Sequence, residues 1–379
     1  MKIALDISQI VYGTGVSAYS ENLIKSLLKV DTKNKYVIFG SSLRKFKKLR
    51  DFKEELSEFP NVEFKLLKFP PAVLEFLWNK LHIYPIDKII GSVDIFHSSD
   101  WLQPPVKSKA TKKVTTVHDM VAYLFPSSLH PRIITNQKRR MDYVKKEVDA
   151  IIADSKTTKE DVVKFLQIPQ EKVTVIYLAA SGDFKPQETS IVDETLAKYK
   201  IKKPYILSVA TQEPRKNLQK LLDAFEEVLK EKPDASLVLA GKYGWGGGLH
   251  SPGSVIWTNY VPQEDLIALY SGCRVFVYPS LYEGFGLPIL EAMACGAPVI
   301  TSNNSSMEEV AKDAAILVDP RNEKQLSKAM EFTLNLDAEN YQKMVKASLD
   351  RAKEYSWEKT AAETLKVYER LNEENEDRS

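Results

Sequence analysis

Short apolar runs rich in β-branched residues alternate with longer segments of mixed polarity through the first half of the chain. These runs predict strands at residues 2–8, 36–40, 61–67, 93–99, 113–119, 149–155 and 172–178. Helical patterns fill most of the intervals between them, as at 16–29, 130–147 and 156–166. Because alternating strands and helices are typical of parallel sheets covered by helices on both faces, we predict a doubly wound α/β domain over 1–180.

The alternation stops near residue 180 and then begins again. Residues 181–203 carry Pro, Gly and charges without a strand pattern, which predicts a linker. A second series of strands is predicted at 205–211, 236–241, 255–261, 274–280, 298–302 and 314–320, with helices at 215–231, 263–272, 287–295 and 305–312. The predicted fold class is α/β, with a second doubly wound domain at 204–355 that faces the first across a central cleft. A C-terminal helix at 356–379 is expected to pack back on the first domain.

Composition restricts the class of protein. The chain has 379 residues, of which 44% are apolar and 27% charged, which is ordinary for a globular protein and sufficient for two cores. Only two cysteines occur, Cys273 and Cys295, and this low number favours a reducing, cytoplasmic compartment over a disulfide framework. Asp6 comes too early for a signal peptide, and no apolar run approaches the ~20 residues of a membrane span.

Charge is distributed unevenly along the chain. Residues 1–180 contain 29 Lys and Arg against 20 Asp and Glu, although the whole chain has a net charge of only +2. Within 41–59, a basic run accompanies apolar residues that recur every three positions, at Leu43, Phe46, Leu49 and Phe52. This pattern predicts a basic amphipathic helix that contacts an anionic membrane. The alternative is that the apolar residues pack on their own sheet and the basic residues lie in water.

The segment EGFGLPILEAMACGAPVIT, residues 283–301, places two carboxylates in one of the least polar parts of the chain. Glu283 lies in the loop after a predicted strand, and Glu291 lies about one turn inside the next helix. Gly284 and Gly286 allow a ligand to approach the backbone, and the helix N-terminus offers N–H groups to an anion. We interpret both glutamates as facing one ligand; the alternative is a solvated loop acid and a helix-surface acid.

Another strand end, VATQEPRKN at 209–217, carries two adjacent cations. Arg215 and Lys216 are predicted in the first turn of a helix, where positive charge is unfavourable because the helix N-terminus is itself positive. A bound anion such as a diphosphate would remove this conflict. The alternative is that both side chains are exposed to solvent.

The glycine loop GTGVSA, residues 13–18, matches the G-x-G-x-x-A fingerprint of dinucleotide-binding domains, but SQIVY separates it from the first strand. Arg44 follows the second strand and would suit a 2′-phosphate, so an NADP site is an open alternative. Contact with a phosphate held by the other domain would explain the loop equally well. His118 ends a predicted strand, where an imidazole can hydrogen-bond a substrate, and His97 is a weaker candidate of the same kind.

These motifs together resemble the retaining glycosyltransferases of family 4, which have the GT-B fold. Residues 283–301 resemble the E-x(7)-E segment of that family, and EPRKNL, GTGVSAYSENL, YVPQEDLIALYSGC and AAILVDP resemble its other blocks in the same order. The resemblance covers nearly the whole chain and is strongest over 205–320. TVHDM and ATQEPRKNL are most similar to the bacterial mannosyltransferase branch.

The resemblance implies roles for the residues that contact the sugar and the nucleoside. Glu283 would accept hydrogen bonds from the donor sugar, and Glu291 would bind the nucleotide ribose. His118 would contact the donor sugar near its C6 hydroxyl. Val261 would lie beside the base.

The resemblance also implies which groups hold the diphosphate. Arg215 and Lys216 would neutralise it, with help from the amides of Gly286 and Leu287 and from Gly15 of the first domain. Two positions depart from the family pattern. Ala210 stands where some relatives carry arginine, which places more of the phosphate charge on the two cations. Pro288 lacks an N–H, so one fewer amide is available.

The implied activity is that of a retaining hexosyltransferase with GDP-mannose as the expected donor and a lipid-linked or cell-envelope glycan as acceptor. No cofactor and no nucleic-acid partner are expected. A metal is not expected either, because the sequence has no D-x-D pair and no Cys/His cluster with zinc spacing. The expected location is the cytoplasm, at the inner face of the cell membrane. The alternatives are a UDP-sugar donor, an epimerase or phosphorylase of the same fold, an NADP-dependent oxidoreductase and a non-enzymatic sugar-nucleotide binder.

Overall fold

The computed structural model describes residues 1–98, 100–242, 244 and 248–376. Ser99, the last residue of a predicted strand, and residues 377–379 of the predicted C-terminal helix lie outside the described residues. The chain divides into two compact units, Met1–Leu178 with Trp357–Ser379, and Ala179–Ser356. Each unit contains one parallel sheet, which confirms the predicted α/β class with two doubly wound domains.

In the described part of the first unit, seven parallel strands form one sheet: β1 (Lys2–Asp6), β2 (Lys35–Ser41), β3 (Val62–Leu67), β4 (Ile95–Ser98), β5 (Lys112–Val117), β6 (Ala150–Ala153) and β7 (Val173–Val175). Their order in the sheet is β3-β2-β1-β4-β5-β6-β7, so the direction of strand addition reverses between β1 and β4. The inner strands are continuous apolar runs because helices cover both faces of the sheet; Ile3, Ala4 and Phe96, for example, are fully buried.

The helices of the first unit that precede the second unit are α1 (Gly15–Val30), α2 (Phe46–Glu55), α3 (Pro71–Glu75), α4 (Asp87–Ile90), α5 (Val121–Leu124), α6 (Pro131–Glu147) and α7 (Lys156–Leu166). Local capping determines where two of them begin. The Thr14 N–H donates to Ser17 Oγ at 3.1 Å just before α1, and Ser155 Oγ accepts from the Thr158 N–H at 3.0 Å before α7.

The second unit has a six-stranded parallel sheet among its described residues: β8 (Tyr205–Val209), β9 (Ser236–Ala240), β10 (Val255–Asn259), β11 (Val275–Tyr278), β12 (Val299–Ser302) and β13 (Ala315–Val318). The order is β10-β9-β8-β11-β12-β13, with the reversal between β8 and β11. Its helices are α8 (Thr189–Tyr199), α9 (Leu218–Glu231), α10 (Gln263–Gly272), α11 (Leu287–Ala294), α12 (Ser305–Ala311), α13 (Glu323–Asn335) and α14 (Ala338–Ala352).

Two segments differ from the sequence-based expectation. Residues 181–203, expected to form a linker, contain α8, whose buried Val192 and Leu196 make it part of the second unit. Two apolar positions one turn apart are too short a pattern to reveal a helix in a charged segment. The helix expected from 215 begins instead at Leu218, because Asn217 adopts a left-handed conformation with φ of 58°.

The chain returns to the first unit in its last helix, α15 (Trp357–Glu376). Thr360 Oγ1 of α15 donates to the carbonyl of Tyr177 at 2.6 Å, and Tyr368 Oη lies 2.6 Å from His97 Nδ1 in β4. The helix also packs along α1. Its fully buried Tyr368 is therefore part of the first core.

Candidate functional site

The candidate site of the second unit lies at the carboxyl ends of β8 and β11, where the strand order reverses. Helices that follow strands on either side of such a reversal lie on opposite faces of the sheet, and this leaves a crevice between the two loops. The loop after β8 contains the 3₁₀ turn Pro214–Lys216. The Leu281 N–H, in the loop after β11, donates to the carbonyl of Arg215 at 2.8 Å. The two motifs that the sequence placed at separate strand ends are therefore joined.

Arg215, Lys216 and Glu283 form a compact ionic cluster in this crevice. Lys216 Nζ donates to Glu283 Oε1 at 2.7 Å, and Arg215 Nη1 lies 2.7 Å from Glu283 Oε2. The three side chains are only 10–13% exposed. Both carboxylate oxygens thus contact a cation, and the three side chains together carry one net positive charge.

Burial and neighbouring charge act in opposite directions on Glu283. Burial alone would raise the pKa of its carboxyl, but the positive charges of Arg215 and Lys216 lower that pKa to about 2. Burial lowers the pKa of the Lys216 ammonium, with a contribution from Arg215, although Glu283 opposes this change. The arrangement therefore holds Glu283 as a carboxylate at any pH near neutrality.

The cluster corrects the interpretation of the two cations. Arg215 and Lys216 lie in the turn before α9 rather than in its first helical turn. The sequence predicted an anion beside these two cations, and Glu283 of the protein itself supplies at least part of that negative charge. Binding of a diphosphate by the same two cations remains a prediction.

Three further residues of this site were not identified from the sequence. The Tyr278 hydroxyl accepts a hydrogen bond from Lys216 Nζ at 2.8 Å, and Glu213 Oε2 lies 3.4 Å from Arg215 Nη2. Asn217 Nδ2 donates to the carbonyls of Pro279 and Pro320 at 3.1 and 2.7 Å, and so links three loops. The position of Tyr278 at the end of a strand was the available signal, since side chains at that edge of a parallel sheet face the crevice.

The N-terminus of α11 adjoins Glu283 in the chain and offers backbone donors. Gly286 precedes the helix with φ of 97°, a conformation that strains any residue with a side chain. As a glycine at the N-cap position, Gly286 offers no side chain to cap this end of the helix. Leu287 is the first helical residue, and Pro288 reduces the number of amides. Anion binding at this terminus remains a prediction.

The other two donor-binding candidates of this unit contact different elements. Glu291 Oε2 accepts from the hydroxyl of Tyr270 in α10 at 3.2 Å. Burial raises the pKa of Glu291 to about 7, against the effect of the Tyr270 hydrogen bond, so this carboxyl changes charge near neutrality. Val261 is buried in the loop between β10 and α10. Among the interactions of the described residues, no hydrogen bond or ion pair joins either residue to the ionic cluster.

His118 and Gly15 lie in the first unit. His118 is the first residue after β5, and Asp154 is the first residue after β6. The last residues of these two strands, Val117 and Ala153, are paired in the sheet. This register brings His118 Nδ1 to 2.6 Å from Asp154 Oδ2. Gly15 is the exposed first residue of α1, and its predicted phosphate contact remains a prediction.

The other candidates of the first unit are His97, Arg44 and the glycine loop. His97 is buried, with Nδ1 at 2.6 Å from Tyr368 Oη and Nε2 at 2.9 Å from Thr116 Oγ1, and burial lowers its pKa to about 3. Its two ring nitrogens are therefore used inside the core. Arg44 is exposed in the loop after β2. The 3₁₀ helix Ser8–Tyr12 separates β1 from the glycine loop, unlike a dinucleotide fingerprint, in which glycine ends the strand directly.

Across residues 1–98, 100–242, 244 and 248–376, no group of three or more His, Cys, Asp and Glu side chains is arranged to hold a metal ion. None of the described helices is long and apolar enough to span a membrane.

Comparison with known families gives matches in both units. The family described as glycosyl transferases group 1 matches residues 192–351, and the family described as Glycosyltransferase Family 4 matches residues 14–180. The first of these ranges contains all six strands of the second sheet, and the other contains β2 to β7 of the first sheet.

Two curated relatives from Escherichia coli are similar over most of this chain. O-antigen chain mannosyltransferase B is 32% identical over 295 residues, which cover 73% of this chain and 74% of the relative. The serotype-specific mannosyltransferase WbdA is 30% identical over 290 residues, which cover 70% of this chain but only 34% of WbdA. Among solved structures, Anabaena HepE in complex with UDP and glucose superposes with a TM-score of 0.71 at 16% identity, over 97% of this chain and 99% of HepE. At that identity, the likeness to HepE shows the fold alone.

Proposed function

The chain belongs to glycosyltransferase family 4 and has the GT-B fold, and from that premise we propose that it transfers mannose from GDP-mannose, with retention of configuration and without a metal ion, to a lipid-linked or cell-envelope glycan. The observation that carries this proposal is the buried cluster of Arg215, Lys216 and Glu283 at the strand reversal of the second sheet.

The cluster has the charges that nucleotide-sugar chemistry requires. Cleavage of the bond between the sugar and the diphosphate leaves negative charge on the diphosphate and positive charge on the sugar ring. Arg215 and Lys216 would stabilise the diphosphate, and the amides at Gly286 and Leu287 would add to their field. Fixed charges of this kind supply the anion stabilisation that a bound metal provides in other enzymes.

Glu283 would bind the donor sugar as a hydrogen-bond acceptor. Its carboxylate is held by two cations and has a pKa of about 2, so it is a poor proton acceptor and a weak nucleophile. A mechanism with a covalent glycosyl–Glu283 intermediate is therefore not favoured. We propose instead that the leaving phosphate deprotonates the acceptor on the same face of the sugar, which retains the configuration.

The proposed sugar, base and acceptor come from the relatives. Both relatives from Escherichia coli are named as mannosyltransferases, and one is named for the O-antigen chain. These names support mannose as the sugar and a cell-envelope glycan as the acceptor class. HepE was solved with UDP and glucose, so a UDP-sugar donor is the second candidate.

A screen of donors followed by product analysis tests the proposal. We expect GDP-mannose to raise the midpoint of thermal unfolding more than UDP-glucose or NADPH, because a ligand that binds only the native state stabilises it. With a lipid-linked mannan acceptor, NMR of the product should show the α configuration of the donor. Transfer from UDP-sugars alone would overturn the donor assignment. Conversion of the nucleotide sugar without acceptor would identify an epimerase.

Metal independence gives a separate prediction. In this proposal, the two cations and the helix N-terminus stabilise the leaving diphosphate. Excess EDTA should therefore change turnover by less than about twofold. The assay is initial-rate transfer with chelator present throughout. Loss of activity on chelation, and its recovery with Mg²⁺ or Mn²⁺ but not with Ca²⁺, would assign that role to a metal.

The structure changes the details of the proposed membrane contact. Leu49 and Phe52 of α2 are buried, so half of the predicted apolar stripe packs inside the first unit. The exposed groups are Leu43 and a set of cations. A surface depression is lined by Leu43, Arg44, Phe46, Lys47, Arg50 and Lys68. Three exposed apolar side chains follow in the chain, at Phe69, Val73 and Phe76. We propose that this mixed basic and apolar surface contacts anionic lipid.

Co-sedimentation with vesicles tests this surface. Reversal of charge at Arg44, Lys47 and Arg50 to glutamate should weaken binding to anionic vesicles at least ~10²-fold, since each basic residue contributes ~1 kcal/mol near the surface. Lys324→Glu with Lys328→Glu, on exposed positions of α13, is the matched control and should leave binding unchanged. Binding that is equal on neutral vesicles, or that persists at ~1 M salt, would contradict the electrostatic account.

A further inference from the structure

The His118–Asp154 pair is a second polar site, and it lies in the first unit. Resting on the proposed function and on the contact between His118 and the donor sugar that the family resemblance implies, we infer that Asp154 is a positioning residue. It holds the imidazole through Nδ1 and keeps it protonated, so that the opposite Nε2–H is a fixed donor to a substrate oxygen. Asp154 itself need not touch the substrate.

Backbone register places the two side chains together. Val117 and Ala153 are paired at the ends of β5 and β6, so the residues that follow them emerge side by side at the carboxyl edge of the sheet. The contact of 2.6 Å joins His118 Nδ1 to Asp154 Oδ2. Ser155 caps α7 immediately afterwards, which anchors the backbone on the carboxylate side.

Other contacts involve the ring and the backbone of His118. The ring of Tyr19 meets that of His118 edge-on, with centroids 4.6 Å apart and an interplanar angle of 74°. Thr158 Oγ1 lies 3.4 Å from the carbonyl of His118. Within the described residues, Nε2 has no hydrogen-bond partner, and the His118 side chain is 12% exposed. The ring is therefore fixed on one side and available on the other.

Among the described residues, His118 is the hydrogen-bond partner of the Asp154 side chain. That side chain is 2% exposed, and its Oδ1 atom has no hydrogen-bond partner among the residues that the structure describes. A buried carboxylate of this kind is costly unless it is paired with a positive charge. The imidazole of His118 is the group that supplies this charge.

The surrounding charges favour a protonated His118. Asp154 follows β6, Asp119 follows His118 itself, and Asp100 follows β4, so three carboxylates from three loops act on the ring. Burial opposes protonation, but these carboxylates and the Asp154 hydrogen bond raise the pKa of His118 to about 9.

Fewer neighbouring groups oppose the protonation of His118. Arg140 of α6 is buried beside Asp100, and its Nη1 lies 3.5 Å from Asp100 Oδ1. His97 of β4 is kept neutral by burial, so it adds no positive charge near His118. Tyr19 of α1 faces the ring as a neutral phenol. The net local field is therefore negative, as a stable imidazolium requires.

NMR titration of the wild-type imidazole is the first test and does not require activity. The chain has five histidines, and the resonance that is missing in His118→Asn identifies His118. We expect its pKa well above the ordinary ~6.5. In Asp154→Asn, which removes the charge at constant size, the pKa should return to ~6.5 or below. An ordinary pKa for His118 in the wild-type protein would overturn the inference.

The pH dependence of kcat is the second test, with Asp119→Asn as the matched control. Asp119 carries the same charge beside His118, but its Oδ1 accepts from the Val121 N–H at 2.9 Å rather than from the imidazole. Wild type should show nearly constant kcat between pH 6 and 8, and Asp119→Asn should show a much smaller fall than Asp154→Asn, because it removes one charge near the ring but no hydrogen bond to it. In Asp154→Asn, kcat should fall roughly 20-fold over that range, in proportion to the loss of imidazolium with a pKa of ~6.5.

The outcomes separate this inference from the proposed function. If the wild-type protein transfers no sugar, the proposed function fails, and the titration alone decides whether Asp154 controls His118. If the wild-type protein is active and Asp154→Asn loses the same factor at every pH, or if Asp119→Asn shows the same fall, Asp154 has a general structural role and the inference is wrong. Near wild-type kcat for Asp154→Asn at pH 6 shows that the variant is folded.

Discussion

Replacement of Glu283 by glutamine is expected to lower turnover at least ~10²-fold while leaving GDP binding in place. The carboxylate is oriented by Arg215 and Lys216 at 2.7 Å each, so its charge and direction are fixed before substrate binds. A positioned polar contact of this kind in a site shielded from water contributes a few kcal/mol to transition-state stabilisation. Glutamine keeps the size of the side chain but replaces one acceptor oxygen with a donor. Initial rates and calorimetric titration with GDP measure the two effects. Turnover close to wild type in a folded variant would contradict the assignment of Glu283 to the donor sugar.

The same substitution should also reduce stability, because Glu283 is the buried counter-ion of two cations. Removal of one partner from a buried ion pair costs ~3 kcal/mol or more. We expect the midpoint of thermal unfolding to fall. We also expect GDP to raise this midpoint more in Glu283→Gln than in wild type, since the diphosphate would replace the missing anion. Glu213→Gln is the matched control. It also removes a carboxylate near Arg215, but at 3.4 Å and without contact to Lys216, and it should cost little.

The pKa of about 2 for Glu283 predicts how this stability depends on pH. A carboxyl whose pKa is lower in the folded than in the unfolded state stabilises the protein above its unfolded pKa of ~4.3. That contribution is lost as the pH falls from there towards 2. Between these pH values, the free energy of unfolding should decline less steeply in Glu283→Gln than in wild type. The free energy of unfolding is measured by urea titration at several pH values. An equal decline with pH in the two proteins would show that the ion pair does not form.

Joint replacement of Arg215 and Lys216 by alanine is expected to remove the advantage of GDP over guanosine. Each charge-assisted hydrogen bond contributes about 1.5–3 kcal/mol, so the wild-type protein should bind GDP at least ~10²-fold more tightly than guanosine. In the double variant, the two affinities should approach each other. UDP and uridine provide the parallel comparison for the second candidate donor. The measurement is calorimetric titration at a fixed ionic strength, because screening alters contacts with phosphate.

Two additional variants make that result interpretable. The double variant leaves Glu283 buried without a cation, so a triple variant that also carries Glu283→Gln removes the stranded charge and should fold more stably. Lys220→Ala removes a nearby cation of α9 that pairs with Glu323 at 3.0 Å, and it should leave the preference for GDP unchanged. An undiminished preference for GDP in the triple variant would show that other groups hold the diphosphate.

Much of the architecture could be predicted from the sequence because parallel strands buried on both faces must be apolar throughout. KIALDIS, KVTTVHD and RVFVYPS, for example, are runs of this kind, and each contains a strand in the structure. The order of strands and helices restricts such a chain to two parallel sheets, and the ends of strands are where ligands bind. Arg215, Lys216 and Glu283 were therefore identifiable as site candidates from strand ends and local charge.

Sequence position alone could not show which candidates meet. Arg215 and Glu283 are far apart in the chain, and their contact depends on β8 and β11 being neighbours at the reversal of the second sheet. In the same way, Asp154 has the sequence pattern of an ordinary strand end. Only the register of β5 and β6 places it against His118. Strand order and register are long-range properties, so they determine these pairs only after folding.

Burial likewise separated residues that looked equivalent in the sequence. His97 and His118 both end apolar strands, but Tyr368 of the returning C-terminal helix and Thr116 bind both nitrogens of His97, whereas His118 keeps one nitrogen available. Leu49 and Phe52 of the basic amphipathic segment turned inward. The sequence by itself determined two doubly wound domains, the strand ends and the residue types at them, because local pattern encodes which faces must be buried. The tertiary structure alone decided the ionic cluster, the His118–Asp154 pair and the exposed part of the basic surface, because these depend on contacts between residues distant in the chain.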